Sequence, residues 1–225
     1  MNVMDTQLPS WTRVLVVVAH PDDESFGLGG VIGRLVDDGA DVQVLCLTAG
    51  EASTLGAAPD LAHTRAMELE AAAEVLGCSS TALLHHPDGA VAGREADVVA
   101  DIERAVDAWT PEGLLVFALG GGVTGHPDHE AASRAAVSVA AGRGLPVLEW
   151  GLPDHVAATL RDEFGAGFTG HDDEALPIVV TVDRSRQLTA ARLHVSQAVP
   201  GSVLWRRLEL LGDREHLRLT PPPAT

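Results

Sequence analysis

Cysteine, tyrosine and basic residues are scarce or missing in this chain of 225 residues. The two cysteines, Cys46 and Cys78, do not suggest a disulfide framework and are predicted to be buried or inert thiols. Lysine and arginine together number 15 against 32 aspartates and glutamates, which gives a formal net charge of −17. Proteins that bind the phosphate backbone of nucleic acids do so with cationic side chains. The sequence therefore disfavours binding to nucleic acid or to an anionic membrane surface.

Long apolar segments are also missing. No stretch approaches the roughly 20 consecutive apolar residues that a membrane-spanning helix needs. The first dozen residues, MNVMDTQLPSWT, lack the basic segment and the apolar core of a signal peptide. We expect a cytoplasmic protein whose two ends, residues 1–12 and 220–225, are poorly ordered.

Apolar runs of strand length alternate with segments of helical character. Hydrophobic residues make up 46% of the chain, enough for one domain with a sizeable core over residues 1–225. The runs are nearly continuous, as in parallel strands covered on both faces, and predict strands at Arg13–Ala19, Asp41–Thr48, Thr81–His86, Gly113–Leu119, Pro146–Gly151 and Pro177–Val182. The predicted helices are Gly29–Asp38, Asp60–Leu76, Arg94–Trp109, His129–Ala141, His155–Glu163 and Ser185–Gln197. This alternation predicts an α/β fold, doubly wound around a mainly parallel sheet with helices on both faces.

A His-Pro-Asp tripeptide occurs three times, at His20–Asp22, His86–Asp88 and His126–Asp128. Proline and aspartate are both favourable in the first turn of a helix, so a plain strand-to-helix junction explains these two residues. It gives no reason for a histidine before each proline. The residue before a proline is held in extended geometry, so each histidine should project from the carboxyl edge of the sheet, where doubly wound folds bind ligands.

Metal binding explains the histidines together with the acids. A catalytic zinc ion takes three protein ligands from histidine and carboxylate side chains and leaves a position open. His20 and Asp23 are three residues apart, and His126 and His129 offer a third ligand at the same spacing. Because Asp22 and Asp23 diverge as neighbours, one can ligate while the other takes a proton from water. A set of two histidines and a carboxylate suits Zn²⁺ or Fe²⁺.

A second function for the loop after the first strand is a dinucleotide site. Gly27, Gly29 and Gly30 follow the acids, but their spacing is not that of G-x-G-x-x-G. Close packing of the helix on the strand is the simpler use of these glycines. The sequence therefore favours the metal site.

The motif AHPDDE at residues 19–24, together with GHPDH at residues 125–129, resembles the LmbE-like, or PIG-L, family of zinc-dependent de-N-acetylases. The similarity runs through most of the chain, in LTAGE at Leu47–Glu51, RAME from Arg65, PDG at Pro87–Gly89 and HVSQ at His194–Gln197. The resemblance implies a Rossmann-like α/β fold. It also implies a metal-dependent amidohydrolase that removes an acetyl or similar acyl group from an amine, such as an N-acetylglucosamine-type sugar or its conjugate.

Roles follow from the resemblance residue by residue. It implies that the metal is held by His20, Asp23 and His129. It also implies that Asp22 is the general base, that His126 stabilises the oxyanion and protonates the leaving amine with Asp128 orienting it, and that Arg65 and Asp88 contact substrate. The implied cofactor is Zn²⁺, with Fe²⁺ or another divalent metal as alternatives. The implied partner is a small soluble N-acylated substrate, and the oligomeric state, a homo-oligomer included, stays open.

Two positions depart from the family pattern. Thr124 stands where some sugar-conjugate deacetylases carry a tyrosine proposed to assist the oxyanion, and Gln187 stands where many members carry a lysine. Both departures concern the substrate and leave the metal and the base intact. The alternative function is a non-catalytic Rossmann-like module that binds a small molecule. Such a module has no reason to keep His20, Asp23 and His129 together with Asp22 and His126.

Overall fold

The chain alternates between strands and helices in the computed structural model, which describes residues 7–55 and 60–223. The strands are β1 (Arg13–Val18), β2 (Asp41–Thr48), β3 (Ser80–His86), β4 (Gly113–Phe117), β5 (Val147–Pro153), β6 (Gly170–His171), β7 (Ile178–Thr181) and β8 (Arg214–Thr220). The α-helices are α1 (Gly29–Asp37), α2 (Leu61–Leu76), α3 (Glu95–Trp109), α4 (Pro127–Arg143), α5 (Asp154–Phe164), α6 (Ser185–Leu193) and α7 (Val203–Leu211). A π-helix at Asp23–Gly27 and a short 3-10 helix at Val91–Gly93 complete the set. All six predicted strands and all six predicted helices are confirmed, with ends shifted by a few residues.

The strands form one sheet in the order β3-β2-β1-β4-β5-β8-β7, and β6 pairs with β5. The five strands from β3 to β5 in this order are parallel, with Val14 of β1 opposite both Val42 of β2 and Gly113 of β4. Strand β8 runs antiparallel to both of its neighbours. The predicted single-domain α/β fold with a mainly parallel sheet is confirmed.

Each face of the sheet carries its own hydrophobic core. Alternate residues of β1 point to opposite faces, as the period of a strand requires. Val14, Val16 and Val18 pack with residues of α1 and α2, whereas Leu15 and Val17 pack with residues of α3 and α4. All five side chains are buried, which explains why this strand reads as a continuous apolar run.

Strand β8, which makes this end of the sheet antiparallel, was not predicted. Strand β8 carries charged residues on both faces, and its inward-facing Glu215 is buried. The Glu215 carboxylate accepts hydrogen bonds from Nε1 of Trp150 and from Arg184. An antiparallel strand is usually identified by alternating polar and apolar residues. A buried acid at an inward-facing position breaks that alternation, so the sequence pattern did not indicate a strand here.

The structure describes part of each end that was predicted to be poorly ordered, namely residues 7–12 and 220–223. Residues 1–6 and 224–225 lie outside the described residues. Leu8 is buried, and the ring of Trp11 lies where a side chain at Gly113 would stand. Strand β8 continues as far as Thr220. Within residues 7–55 and 60–223, no helix is both long enough and apolar enough to cross a membrane.

Candidate metal centre

The predicted site residues meet at the carboxyl edge of the parallel strands. His20 follows β1, Asp88 follows β3, and the loop after β4 leads to His126 and His129 at the start of α4. Strands β1 and β4 are adjacent, and the chain continues from β1 to β2 on one side and from β4 to β5 on the other. Such a switch point is where an open α/β sheet forms a crevice.

Three predicted ligand side chains converge on one small volume. Nδ1 of His20 lies 3.0 Å from Nε2 of His129 and 3.7 Å from Oδ2 of Asp23. Oδ1 of Asp23 lies 3.2 Å from Nε2 of His129. Ligands held about 2.0–2.2 Å from a tetrahedral zinc ion stand about 3.3–3.6 Å from one another. The donor atoms and their spacing therefore fit a single divalent cation.

His20 also belongs to a second cluster, on the other edge of its ring. Its Nε2 atom lies 2.9 Å from Oδ1 of Asp88 and 3.5 Å from Oδ2 of Asp128. Carboxylates that accept from the free nitrogen of a ligating histidine fix its tautomer and raise its basicity. Nε2 of His20 meets no acceptor with hydrogen-bond geometry among the described residues, so Asp88 and Asp128 act on this ring through their charge and proximity.

A third grouping by distance consists of histidines alone. Ligand atoms of His20, His126 and His129 lie within 4.8 Å of one another. Asp23 contacts His20 at 3.7 Å and His129 at 3.2 Å. Asp23 and His126 therefore both lie where a third ligand beside His20 and His129 would stand.

The carboxylates of the site favour a positive charge at its centre. Burial lowers the pKa of His20, but the neighbouring carboxylates of Asp128 and Asp88 and the charge of Asp23 raise it to about 10. Burial would raise the pKa of Asp23, yet its contacts with His129 and His20 hold that pKa well below the usual range. An excess of carboxylate around a few histidines is the electrostatic environment in which a divalent cation is stable.

The His129 ring is held from behind by the glycine-rich loop. Its Nδ1 atom lies 2.7 Å from Oγ1 of Thr124 and 3.3 Å from the carbonyl oxygen of Gly122. A carbonyl can only accept, so in the tautomer that satisfies Gly122 the hydrogen is on Nδ1 and Nε2 keeps its lone pair. The lone pair then points toward His20 and Asp23.

Asp22 has a strained backbone beside the ligands. Its φ of 119° lies in a region that residues other than glycine rarely adopt. The backbone N–H of Asp22 donates to Oε2 of Glu24 at 2.9 Å, and Arg65 donates to the carbonyl oxygen of Pro21. Oδ1 of Asp22 stands 3.4 Å from the Arg65 guanidinium. Burial raises the pKa of Asp22 to about 6, although Arg65 acts in the opposite direction.

His126 and Asp128 interact differently from the sequence-based expectation. The backbone N–H of Asp128, and not its carboxylate, contacts His126, donating to Nδ1 at 3.2 Å. The Asp128 carboxylate accepts from the N–H groups of Gly89 and Val91 and faces His20. Nδ1 of His126 is therefore an acceptor, and Nε2 carries the hydrogen of the neutral ring. Burial and the neighbouring His20 lower the pKa of His126.

Arg65 and Asp88, predicted to contact substrate, have partners inside the site. The Arg65 side chain is buried and donates to the carbonyl oxygen of Gly50 at 2.8 Å. Gly50 has a φ of 65°, and a side chain there would overlap the guanidinium. Asp88 faces His20 through one carboxylate oxygen and accepts from the N–H of Ala52 through the other. Both residues also line the cleft described next.

A cleft of about 710 Å³ opens above these residues. Its lining includes the three predicted ligands, Asp22 and His126. The lining also includes an apolar wall of Phe26, Phe168, Val203 and Leu204, together with the buried Arg207. A concave site with a few convergent polar groups and an apolar wall is typical of binding sites for small molecules.

Comparison with known proteins identifies the family. Residues 15–140 match the profile of PIG-L, described as GlcNAc-PI de-N-acetylase. The probable N-acetyl-alpha-D-glucosaminyl L-malate deacetylase 2 of Bacillus cereus is 32% identical, over 82% of this chain and 83% of that protein. This chain belongs to the PIG-L family. The predicted resemblance is therefore confirmed.

One further sequence relative and one solved structure show how far the similarity extends. The 1D-myo-inositol 2-acetamido-2-deoxy-alpha-D-glucopyranoside deacetylase of Kineococcus radiotolerans is 34% identical over 76% of this chain, which spans 61% of that protein's length. The solved structure of N,N'-diacetylchitobiose deacetylase from Pyrococcus horikoshii superposes with a TM-score of 0.65 at 22% identity, covering 94% of this chain and 84% of that one. At that identity the superposition shows a shared PIG-L fold.

The departures from the PIG-L pattern lie in different environments. Thr124 lines the cleft and contacts His129. Gln187 is buried beneath the π-helix, where its Nε2 donates to the carbonyl oxygen of Ser25 at 3.0 Å and its Oε1 accepts from Arg184. Gln187 therefore supports the π-helix, and the bearing of this departure on the substrate stays a prediction.

A buried pair supports the acidic motif and was missed by sequence reasoning. Oε1 of Glu24 lies 2.6 Å from Nε2 of His194, and both side chains are fully buried. Burial opposes both charges, yet the pairing lowers the pKa of Glu24 and raises that of His194. The motifs AHPDDE and HVSQ, both visible in the sequence, meet through this pair.

A second missed residue supports the loop after β4. One carboxylate oxygen of Glu130 accepts from three successive N–H groups, at 3.1 Å from Gly120 and 2.9 Å from Gly121 and Gly122. All three glycines have positive φ. The GGG sequence followed by an acid at the first turn of a helix was the available signal.

Proposed function

We propose that this PIG-L protein is a divalent-metal-dependent N-deacetylase that hydrolyses the acetamide of an N-acetylglucosamine-type conjugate. One observation carries the proposal: Nδ1 of His20, Nε2 of His129 and the Asp23 carboxylate converge, with Asp22 directly adjacent. Family membership supports the same chemistry, since the relatives from Bacillus and Kineococcus are named as deacetylases of glucosaminyl conjugates.

The cation would be held by His20, Asp23 and His129, with Zn²⁺ or Fe²⁺ suited to this donor set. When bound, a divalent cation polarises a carbonyl group and lowers the pKa of an adjacent water molecule. The carboxylates of Asp88 and Asp128 would keep His20 in the ligating orientation. Thr124 would do the same for His129.

Asp22 and His126 would move the protons. Asp22 takes a proton from the attacking water, for which a pKa raised to about 6 by burial is suitable because the group is ionised at neutral pH and still basic. The Nε2–H of His126 donates to the carbonyl oxygen as negative charge develops there. The C–N bond then breaks as Nε2 of His126 gives its proton to the nitrogen, the proton held by Asp22 replaces it on the ring, and acetic acid and a free amine leave.

The substrate class follows from the relatives. One relative is named for an inositol conjugate and the other for an L-malate conjugate of N-acetylglucosamine. A small conjugate fits a cleft of about 710 Å³. We propose a small sugar conjugate of this kind in preference to a membrane glycolipid.

The test combines metal analysis with amine release. The protein is purified without chelator, its metal content is measured by elemental analysis, and the two conjugates are assayed for free amine. Chelation is expected to abolish turnover, and Zn²⁺ or anaerobic Fe²⁺ to restore it. The His129→Ala variant is the control and should contain less metal. Full turnover by the metal-free protein would refute metal dependence, and no turnover by the fully loaded protein would favour the binding-module alternative.

A further inference from the structure

Arg207 is a cation of the cleft that forms no direct ion pair among the described residues. Its side chain is 2% exposed and lines the cleft. Within the described part of the chain it forms no ion pair, and its Nε has no hydrogen-bond partner. The other arginine of the cleft, Arg65, is committed to Asp22 and to the carbonyl oxygens of Pro21 and Gly50.

The surroundings of Arg207 support its charge without neutralising it. The guanidinium carbon lies 5.4 Å from the ring centroid of Trp150 and 5.9 Å from that of Phe168, at cation–π distance. Glu215 is nearby, but its carboxylate accepts from Trp150 and Arg184. Burial lowers the pKa of Arg207 to about 10 against the opposing charges of Asp23, Glu215 and Asp22, so the side chain is charged at neutral pH. None of these carboxylates forms a direct ion pair with it within the described residues, and a buried charge without a direct partner is costly unless a ligand supplies one.

We propose that Arg207 binds a carboxylate on the part of the substrate that is retained after deacetylation. The planar guanidinium matches a carboxylate through two parallel hydrogen bonds. The apolar wall beside it, which includes Phe26, Phe168 and Leu204, excludes water and strengthens such a pair. The inference rests on the proposed deacetylase function and narrows its substrate class to anionic conjugates. It favours a malate-type conjugate, which carries carboxylates, over the inositol type, which carries none.

The test compares two conjugates and two neighbouring arginines. Arg206, the preceding residue on α7, lies outside the cleft lining and pairs with Glu163 and Glu209, so Arg206→Met is the matched control for Arg207→Met. The measured quantity is the ratio of kcat/KM for N-acetylglucosaminyl L-malate to that for the inositol conjugate. Arg207→Met should lower this ratio about 10- to 100-fold through KM of the malate conjugate. Arg206→Met should leave it unchanged, and Arg207→Lys, which keeps the charge but not the planar donors, should be intermediate.

A binding measurement separates this inference from the proposed function. Calorimetric titration of the metal-loaded protein with the deacetylated product, glucosaminyl L-malate, requires no turnover. Wild-type protein should bind it about 10- to 100-fold more tightly than Arg207→Met or, if that variant does not fold, measurably more tightly than Arg207→Lys. Equal affinities, or no binding by wild-type protein, overturn the inference even where deacetylation is established. Lack of turnover with intact, Arg207-dependent binding refutes only the proposed function.

Two kinetic outcomes would assign Arg207 elsewhere. An equal fall in kcat for both conjugates with an unchanged ratio would place the guanidinium at the reacting carbonyl. Weaker inhibition by acetate, again with an unchanged ratio, would assign it to the released acetate. Either outcome overturns the proposal of a subsite for the retained half.

Discussion

Oγ1 of Thr124 lies 2.7 Å from Nδ1 of His129, and Nε2 of the same ring faces His20 and Asp23. The threonine thus occupies the outer side of a predicted ligand. In PIG-L relatives that carry tyrosine at the matching position, that residue is proposed to assist the oxyanion. In this chain the shorter hydroxyl is engaged with His129, so its contribution is to hold the imidazole.

Replacing Thr124 by valine tests this assignment. Valine keeps the branched shape but cannot accept from Nδ1, which leaves only the longer contact to the carbonyl oxygen of Gly122 at 3.3 Å. Loss of such an outer-shell partner lowers metal affinity about 10- to 100-fold. Zinc affinity is measured by competition with a chromophoric chelator. Thr124→Ser should bind zinc like wild type, and equal affinity in Thr124→Val would show that the hydroxyl does not position His129.

Arg65 should affect turnover more than substrate affinity. Sequence reasoning predicted a substrate contact, but the guanidinium binds the backbone around Asp22 and faces its carboxylate at 3.4 Å. We expect Arg65→Met to lower kcat at least about tenfold with a change in KM of less than about threefold, because the general base is misplaced while the cleft persists. Steady-state kinetics measure the split, with Arg65→Lys as the variant that keeps the charge. A rise in KM at constant kcat would restore the substrate-binding role.

The sequence predicted the parallel part of the fold because each strand there is apolar on both faces. It also predicted which side chains would gather, since β1, β3 and β4 deliver Asp22, Asp88 and His126 to one edge. Partners that are distant in the chain could not be predicted. His194 and Glu24 are 170 residues apart, and no local pattern connects them.

The backbone conformation of the acidic motif AHPDDE could not be predicted from the sequence either. A strained φ of 119° at Asp22 depends on contacts from Glu24 and Arg65, and propensity alone would place a glycine there. Strain of this type is common where a functional side chain must be aimed. Local sequence rules therefore fail at the residue to which the base role is assigned.

Glu130 should prove essential for the loop that carries Thr124 and His126. Its carboxylate accepts from the N–H groups of Gly120, Gly121 and Gly122. Glu130→Gln replaces charge-assisted hydrogen bonds by weaker ones, and we expect the free energy of unfolding to fall by about 1–3 kcal/mol, with weaker zinc binding. Thermal and urea unfolding measure the stability. The same substitution at the exposed Glu74 of α2 is the control and should change stability by less than about 0.5 kcal/mol.

Asp22 and Asp23 should respond differently to the same substitution, although they are neighbours. Asp22→Asn removes the proton acceptor, so turnover should fall about 10²- to 10⁴-fold while metal content stays at the wild-type level. Asp23→Asn replaces a carboxylate that contacts His129 at 3.2 Å by a neutral amide, which is a poorer ligand, so metal content should fall. Excess Zn²⁺ should then restore part of the activity of Asp23→Asn and none of that of Asp22→Asn. Amine release and elemental analysis are measured on the same samples. Near-normal hydrolysis by both variants would refute the division of roles, and rescue of Asp22→Asn by zinc would make Asp22 a ligand.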